Sequence, residues 1–343
     1  MTRSRDTTDV AGASRPPSDT PLVSVVVPTY NRRKQLHRTL LGLADQQLSG
    51  HRFETIVISD GSTDDTWEYL HGGATPLPVV ALEQQNAGPA AARNRGVQAA
   101  RGELIVFVDD DIIPVPGLIA AHVAAHESLG DDVVSIGPML TPLDVELSPW
   151  VSWEQRMLEK QYDQVRSGVF KVSARQFYTA NAAVRRHHLI AAGGFDESFR
   201  RAEDVELAYR LSERGLEFTF VEDAVGYHYA ERSYESWRTN AYLYGRNDVI
   251  FGRDRGQPWI LPLIKFQFDS RHPAVRVLTR VAIPRPRLHR VVDRMLRAVS
   301  VAGRLTRVEA VARFSLSAIY NLAYYEGVAD EFGRERLREL TAR

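Results

Sequence analysis

Hydrophobic and polar residues alternate between two periods along the first hundred positions. "LVSVVVPTY" (22–30) is an unbroken β-branched run, the pattern of a strand covered on both faces. Apolar residues then recur at Leu36, Leu40, Leu41 and Leu43, which predicts a helix over 33–47. "FETIVISD" (53–60), "LPVVALEQ" (77–84) and "ELIVFV" (103–108) read as three further strands. Between them, 62–71 reads as a short helix capped by Ser62 or Thr63, and the Ala-rich segment 88–102 as a helix with Pro near its start. Strand and helix in strict alternation predict an α/β fold with a mainly parallel, Rossmann-like sheet and flanking helices.

The second half is less regular. Helices are expected over 117–130, 148–162 and 202–215, and over 233–252 with an interruption at Gly245-Arg246. Strands are expected within 131–140 and 216–229. A polar leader (1–20) rich in Pro, Ser and Thr reads as disordered. The expected division is a main domain over 21–255, with a nucleotide-binding half to about 115 and an acceptor half from 116, followed by a helical C-terminal annex over 256–343. Residues 271–313 of that annex are rich in Arg, with Asp293 and Glu309 as the only acids. A helical cap with Arg facing water is the first reading, and peripheral contact with a membrane surface is the alternative.

Composition narrows the chemistry. The 343 residues contain no cysteine, so disulfides and thiolate metal sites are excluded and any metal falls to Asp, Glu and His. Lys+Arg and Asp+Glu are both 43, so net charge argues for no particular partner, and no nucleic-acid partner is expected. No run of about 18 apolar residues predicts a membrane span, and a cytoplasmic protein is expected, with the inner membrane face as the alternative.

In parallel α/β sheets ligands bind beyond the carboxyl ends of the strands. The unusual residues collect there: "PTYNR", "SDGSTDD", "QQNAGPAAARNRG" and "FVDDDIIP". Tyr30 offers a stacking surface, Thr29 a hydroxyl, Asp60 an acceptor for a base or ribose, and Arg93 a partner for phosphates. If strand alternation continues through the acidic triplet, Asp109 and Asp111 face one site and Asp110 points elsewhere. Two facing carboxylates suit a hard divalent ion, Mn²⁺ or Mg²⁺; a solvated turn is the competing reading. There is no GxGxxG after the first strand and no GxxxxGK[ST] motif. His122 and His126 share a helix face but lack the Glu of HExxH, so they are expected to be packed histidines. Trp150, Trp153 and Trp237 are expected to pack rather than stack on a sugar.

Five segments, "VSVVVPTYNR", "VISDGSTDDT", "QQNAGPAAARNRG", "FVDDDIIP" and "GGFDESFRRAEDVELAYRL", resemble glycosyltransferase family 2 in order and spacing, over roughly 22–230. The resemblance implies a GT-A fold, a nucleotide-sugar donor, a divalent metal and inversion at the anomeric carbon. It implies a donor site of Pro28, Thr29, Tyr30, Asp60, Asn86, Arg93, Asp109 and Asp110, with UDP expected and GDP or dTDP as alternatives. It implies Asp111 as the direct metal ligand, Asp109 as a ribose or metal-water contact, and His228 as a further metal or phosphate contact. Asp204 is then the general base that takes the proton of an acceptor hydroxyl, and Glu203 its neighbour. Asn181 falls on a nearby turn, and Tyr244 and Arg246 are weaker candidates for donor or acceptor contact. A retaining transferase and an inactive nucleotide-sugar-binding module are the competing functions.

Overall fold

The computed structural model describes residues 22–48 and 52–341, so the expected leader lies outside the described residues. In chain order the elements begin β1 (Val23–Thr29), α1 (Arg33–Ala44), β2 (Phe53–Asp60), α2 (Thr66–His71), β3 (Val80–Gln84), α3 (Pro89–Ala99), β4 (Leu104–Val108) and β5 (Ile112–Pro114). They continue with α4 (Leu118–Leu129), β6 (Val133–Ile136), β7 (Met139–Leu140), α5 (Pro149–Arg166), β8 (Asn181–Arg185), α6 (Arg186–Ala191), α7 (Glu203–Glu213), β9 (Glu217–Phe220) and β10 (Gly226–His228). The rest is helical: α8 (Tyr234–Asp254), α9 (Ile260–Asp269), α10 (Pro273–Ala282), α11 (Pro286–Leu305), α12 (Glu309–Phe332) and α13 (Arg334–Thr341).

The large sheet has the order β3-β2-β1-β4-β8-β6-β9. Its pairs are parallel except the two that β8 makes with β4 and β6. Period-two alternation divides the strands between two cores. Val26, Ile56, Ile58, Ile105 and Phe107 face one core, with Ala92 and Val97 of α3 and Leu207 of α7. Val25, Val27, Val57, Val106 and Val108 face the other, with Leu36 and Leu40 of α1. That two-sided burial is why the strands read as continuous apolar runs. A small sheet, β5-β10-β7, stands beside the carboxyl end of β4. Its register sets His228 opposite Ile112, next to the acidic triplet.

Several boundaries differ from the sequence reading. The second helix starts at Thr66, because Asp64 accepts from the Thr66 amide and hydroxyl. Ser62 and Thr63 instead join the first loop: Ser62 Oγ accepts from Asn31 N, and Asn31 Oδ1 accepts from the Thr63 and Asp64 amides. The segments 131–140 and 216–229 each split into two strands, one per sheet. Asn181 sits in β8, where it holds His122 Nε2 at 3.0 Å and donates to the carbonyls of Pro138 and Ala224. His122 and His126 also share the Ser135 hydroxyl. Burial pushes both imidazoles down to about 4, so they are neutral packing residues.

Gly245 does not interrupt its helix. A Cβ at Gly245 would lie 1.9 Å from the Tyr324 carbonyl oxygen, and one at Gly327 would lie 1.9 Å from that of Tyr242. The reciprocal glycines let α8 and α12 approach backbone to backbone. Arg246, beside this contact, pairs with Glu331 at 2.8 Å instead of lining the site. Gly245→Ala is expected to destabilise the protein by at least the 1–3 kcal/mol typical (~) of overpacking, because backbone has to move. Gly117→Ala, whose Cβ meets nothing within 4 Å, is the control for denaturant unfolding. Equal midpoints for the two variants would mean that the helices part without cost.

Candidate active site

A cleft of about 690 Å³ opens where the carboxyl end of β4, the small sheet, the start of α7 and the α8/α12 helices meet. Arg93, Asp109, Asp111, Glu203, Asp204 and His228 all line it. They come from α3, the β4–β5 turn, α7 and β10, so the topology gathers them from four separate segments.

Arg93 is the hub. Its Nη2 donates to Asp109 Oδ1 and its Nη1 to Glu203 Oε1, each at 2.8 Å, and the guanidinium is buried. Burial alone disfavours the charge, but the carboxylates of Asp109 and Glu203 outweigh it and hold the guanidinium charged. Its Nε has no hydrogen-bond partner among the described residues.

The acidic triplet divides as strand alternation suggests, although β4 ends at Val108 and the acids lie in a turn. Asp110 turns inward. It accepts from Thr29 Oγ1 at 2.7 Å and from Arg32 Nη1 at 3.0 Å, and its carbonyl accepts from Thr39. Asp110 and Thr29, both counted in the expected donor site, are thus buried against each other and do not line the cleft. Arg32, which sequence reasoning passed over, bridges Asp110 to Asp111 Oδ2 at 3.0 Å and does line it. The sequence marks basic residues after the first strand, but it does not separate Arg32 from the adjacent Arg33.

Pro28 in β1, Asp60 at the end of β2, and Tyr30 and Asn86 on the loops after β1 and β3 lie outside the cleft lining. Tyr30 is nearly half exposed. Asp60 accepts from Gln84 Nε2 and from the amides of Ala87 and Gly88, and Asn86 donates to the Asp60 carbonyl. These bonds hold the 84–88 loop in a fixed shape beside the cleft. Gly88, at φ +94°, adopts the left-handed backbone that the loop needs before α3.

Asp204 lies on the floor of the cleft. Val205 N donates to its Oδ1 at 2.8 Å, and its other oxygen has no partner among the described residues. Burial, and then the neighbouring charge of Glu203, push its carboxyl up to about 7. Ala202 enters the helix at φ +60°, a strained conformation for a residue with a Cβ, and this turn sets both acids at the helix start.

His228 stands beside the triplet, with Nε2 3.7 Å from Asp111 Oδ1 and Nδ1 2.9 Å from Gln155 Nε2. Among the described residues no three His, Asp or Glu side chains are close enough to hold a metal ion as they stand. The donor set does fit a hard ion completed by phosphate oxygens. Asp111 Oδ1 and Asp109 Oδ2 make no hydrogen bond among the described residues, and His228 adjoins them.

The far wall belongs to the C-terminal helices. Tyr244, Tyr320 and Tyr324 line it with Asp248, which takes both Nη groups of Arg175 at 2.9 Å. Trp150, Trp153 and Trp237 pack behind this wall in one aromatic cluster, with Trp153 and Trp237 edge to face at 5.7 Å.

Residues 24–190 match the family described as Glycosyl transferase family 2. The validoxylamine A glucosyltransferase of Streptomyces hygroscopicus subsp. limoneus is 31% identical over 234 residues, which cover 61% of this chain and 52% of that protein. The chondroitin synthase of Escherichia coli is 30% identical over 240 residues, 60% of this chain and 34% of that protein. The chain therefore spans about half the length of the first relative and a third of the second. Among solved structures, the mannosyltransferase PcManGT from Pyrobaculum calidifontis, in complex with GDP-Man and Mn²⁺, matches with a TM-score of 0.60 at 19% identity, covering 94% of this chain and 90% of that one. TarS 1-349 of S. aureus in complex with UDP-GlcNAc matches with a TM-score of 0.54 at 18% identity, covering 92% and 91%. At these identities the likeness is one of fold, the GT-A arrangement of a mainly parallel sheet with flanking helices and a helical C-terminal region. The matched segment, the relatives and the fold agree, and residues 24–190 of this chain are a glycosyl transferase family 2 domain.

Proposed function

We propose that the protein is an inverting glycosyltransferase that moves a sugar from a nucleotide-sugar, a UDP-sugar by the loop residues, to an acceptor hydroxyl. The observation that carries this reading is Asp204: a carboxyl on the cleft floor, with a free oxygen and a pKa raised to about 7, one residue from a glutamate tied through Arg93 to the acidic turn. A base poised near neutrality suits abstraction of a hydroxyl proton.

In the proposed reaction the acceptor oxygen gives its proton to Asp204 and bonds to the anomeric carbon. The bond from that carbon to the diphosphate oxygen breaks on the opposite face, and the nucleoside diphosphate leaves. Arg93 holds Asp109 and Glu203 in place while staying charged beside the leaving group. Asp111, Asp109 and His228 would hold a divalent cation, which supplies positive charge for the departing diphosphate. The wall of Tyr244, Tyr320 and Tyr324 offers apolar faces and hydroxyls for an acceptor.

Titration calorimetry with UDP, GDP and dTDP, each with and without Mn²⁺, tests the donor reading. Metal-dependent binding of one nucleotide is expected, weakened about tenfold or more in Asp111→Ala through loss of a charged ligand. No metal-dependent binding of any of the three would favour the inactive module. Retained anomeric configuration in the product would remove Asp204 from the role of base.

A further inference from the structure

Helix α11 has two apolar faces, and only one is covered. At 100° per residue, Leu288, Val292, Leu296, Ser300 and Gly303 fall on one side. Val292 and Leu296 pack on the main core, Gly303 lies against the Ala312 backbone, and His289 meets Glu326 at 3.2 Å. Turned away from that contact are Val291, Met295, Ala298, Val299, Ala302 and Leu305, all exposed, Met295 by 61% and Leu305 by 80%. Along one edge of this stripe the same spacing places Arg287, Arg290, Arg294, Arg297 and Arg304, also exposed. Neighbouring α10 exposes Val277 and Val281, spaced one turn apart. A helical cap with only arginine facing water would leave no such stripe.

We infer that the α10–α11 face docks on an anionic lipid surface. The stripe lies flat for the 20 residues of α11, and no helix among the described residues is long and apolar enough to cross a membrane. An apolar face bordered by arginines is the pattern of a helix lying in the headgroup region. The charges on the segment select the occupant. Arg287, Arg290, Arg294 and Arg304 have no carboxylate partner among the described residues. The two acids of 271–313 are engaged, Asp293 by Arg238 and Tyr234, and Glu309 by Arg313. A second copy laid stripe to stripe would set one arginine row against another with no acid between them. Lipid phosphates supply the missing negative charge along the whole row. The inference does not depend on the chemistry in the cleft.

Co-sedimentation of the full chain with phosphatidylcholine vesicles, and with phosphatidylcholine–phosphatidylglycerol vesicles, tests it. Binding is expected only to the anionic vesicles, falling as salt rises. Removing three arginines (Arg287→Gln, Arg290→Gln, Arg294→Gln) is expected to weaken it by about 100-fold, at roughly fivefold each. Met295→Glu with Val299→Glu is expected to abolish it while the melting temperature stays unchanged, since both side chains are exposed. Absence of binding to anionic vesicles overturns the inference. So does equal binding to neutral vesicles, binding indifferent to Met295→Glu with Val299→Glu, or a solution dimer that those two substitutions dissociate.

Discussion

Asp204→Asn is expected to lower turnover by about 10²–10⁴, the range for removing a general base, with nucleotide affinity unchanged. The amide keeps the shape of the carboxylate and its bond from Val205 N but cannot take a proton. The unsubstituted enzyme is expected to gain activity as pH rises through about 7, because the acting form is the carboxylate and burial has raised its pKa to that point. Below it the ionised fraction falls by about ten per pH unit, so the rate at pH 5 is expected near one hundredth of the plateau. A carboxyl at the ordinary value of 3.8 would keep full activity there. The stability effect has the opposite sign. An acid whose folded pKa is raised is a penalty that grows between 3.8 and about 7, as the unfolded chain ionises and the folded one does not. Asp204→Asn removes that penalty, so the variant is expected to melt higher than the parent at pH 8. Near-normal turnover in Asp204→Asn, or a rate flat from pH 5 to 8, would exclude Asp204 as the base.

Arg93→Ala carries the largest expected cost in stability. The side chain is buried and neutralises Asp109 and Glu203 at once. Removing one partner of a buried ion pair typically costs about 3–5 kcal/mol, because the remaining charge stays desolvated. An unfolding entropy of about 2.1 cal/mol/K per residue converts that cost into a fall of roughly 4–7 °C in melting temperature. Nucleotide binding is expected to fall with it, since Asp109 loses its anchor. Arg93→Lys separates charge from geometry: an ammonium is a point charge and cannot span both carboxylates as the guanidinium does. It is expected to recover part of the stability and little of the binding. An unchanged melting temperature in Arg93→Ala, followed by scanning calorimetry, would mean that water reaches both carboxylates and that the bridge holds nothing.

The central sheet was legible because its strands are covered on both faces, and coverage on both faces writes itself as an unbroken apolar run in "SVVV", "TIVI" and "LIVFV". The loops beyond those strands were legible for the same reason: polar residues end the runs. Local alternation pointed to the division of the acidic triplet, but the acids lie in a turn beyond β4, so the facing of Asp110 came from the packing around it. What that alternation left open was the partner of each side chain. Arg32 carries no local signature that sets it apart from Arg33, yet it clamps Asp110 and Asp111, whereas Arg33 reaches Asp65. Gly245 read as a break because glycine weakens isolated helices, and only α12 lying against it explains why the helix runs through.

By itself the sequence determined the alternating strands and helices, the sheet edge where the motifs collect, and the family whose segments they resemble, because each depends on neighbours within a few residues. Tertiary structure alone decided that Arg93 meets Glu203, 110 positions away, that Asp110 faces inward, and that α11 shows a second apolar face to the outside. Those outcomes depend on which elements pack together, and hydrophobic periodicity marks the faces to be covered without naming what covers them.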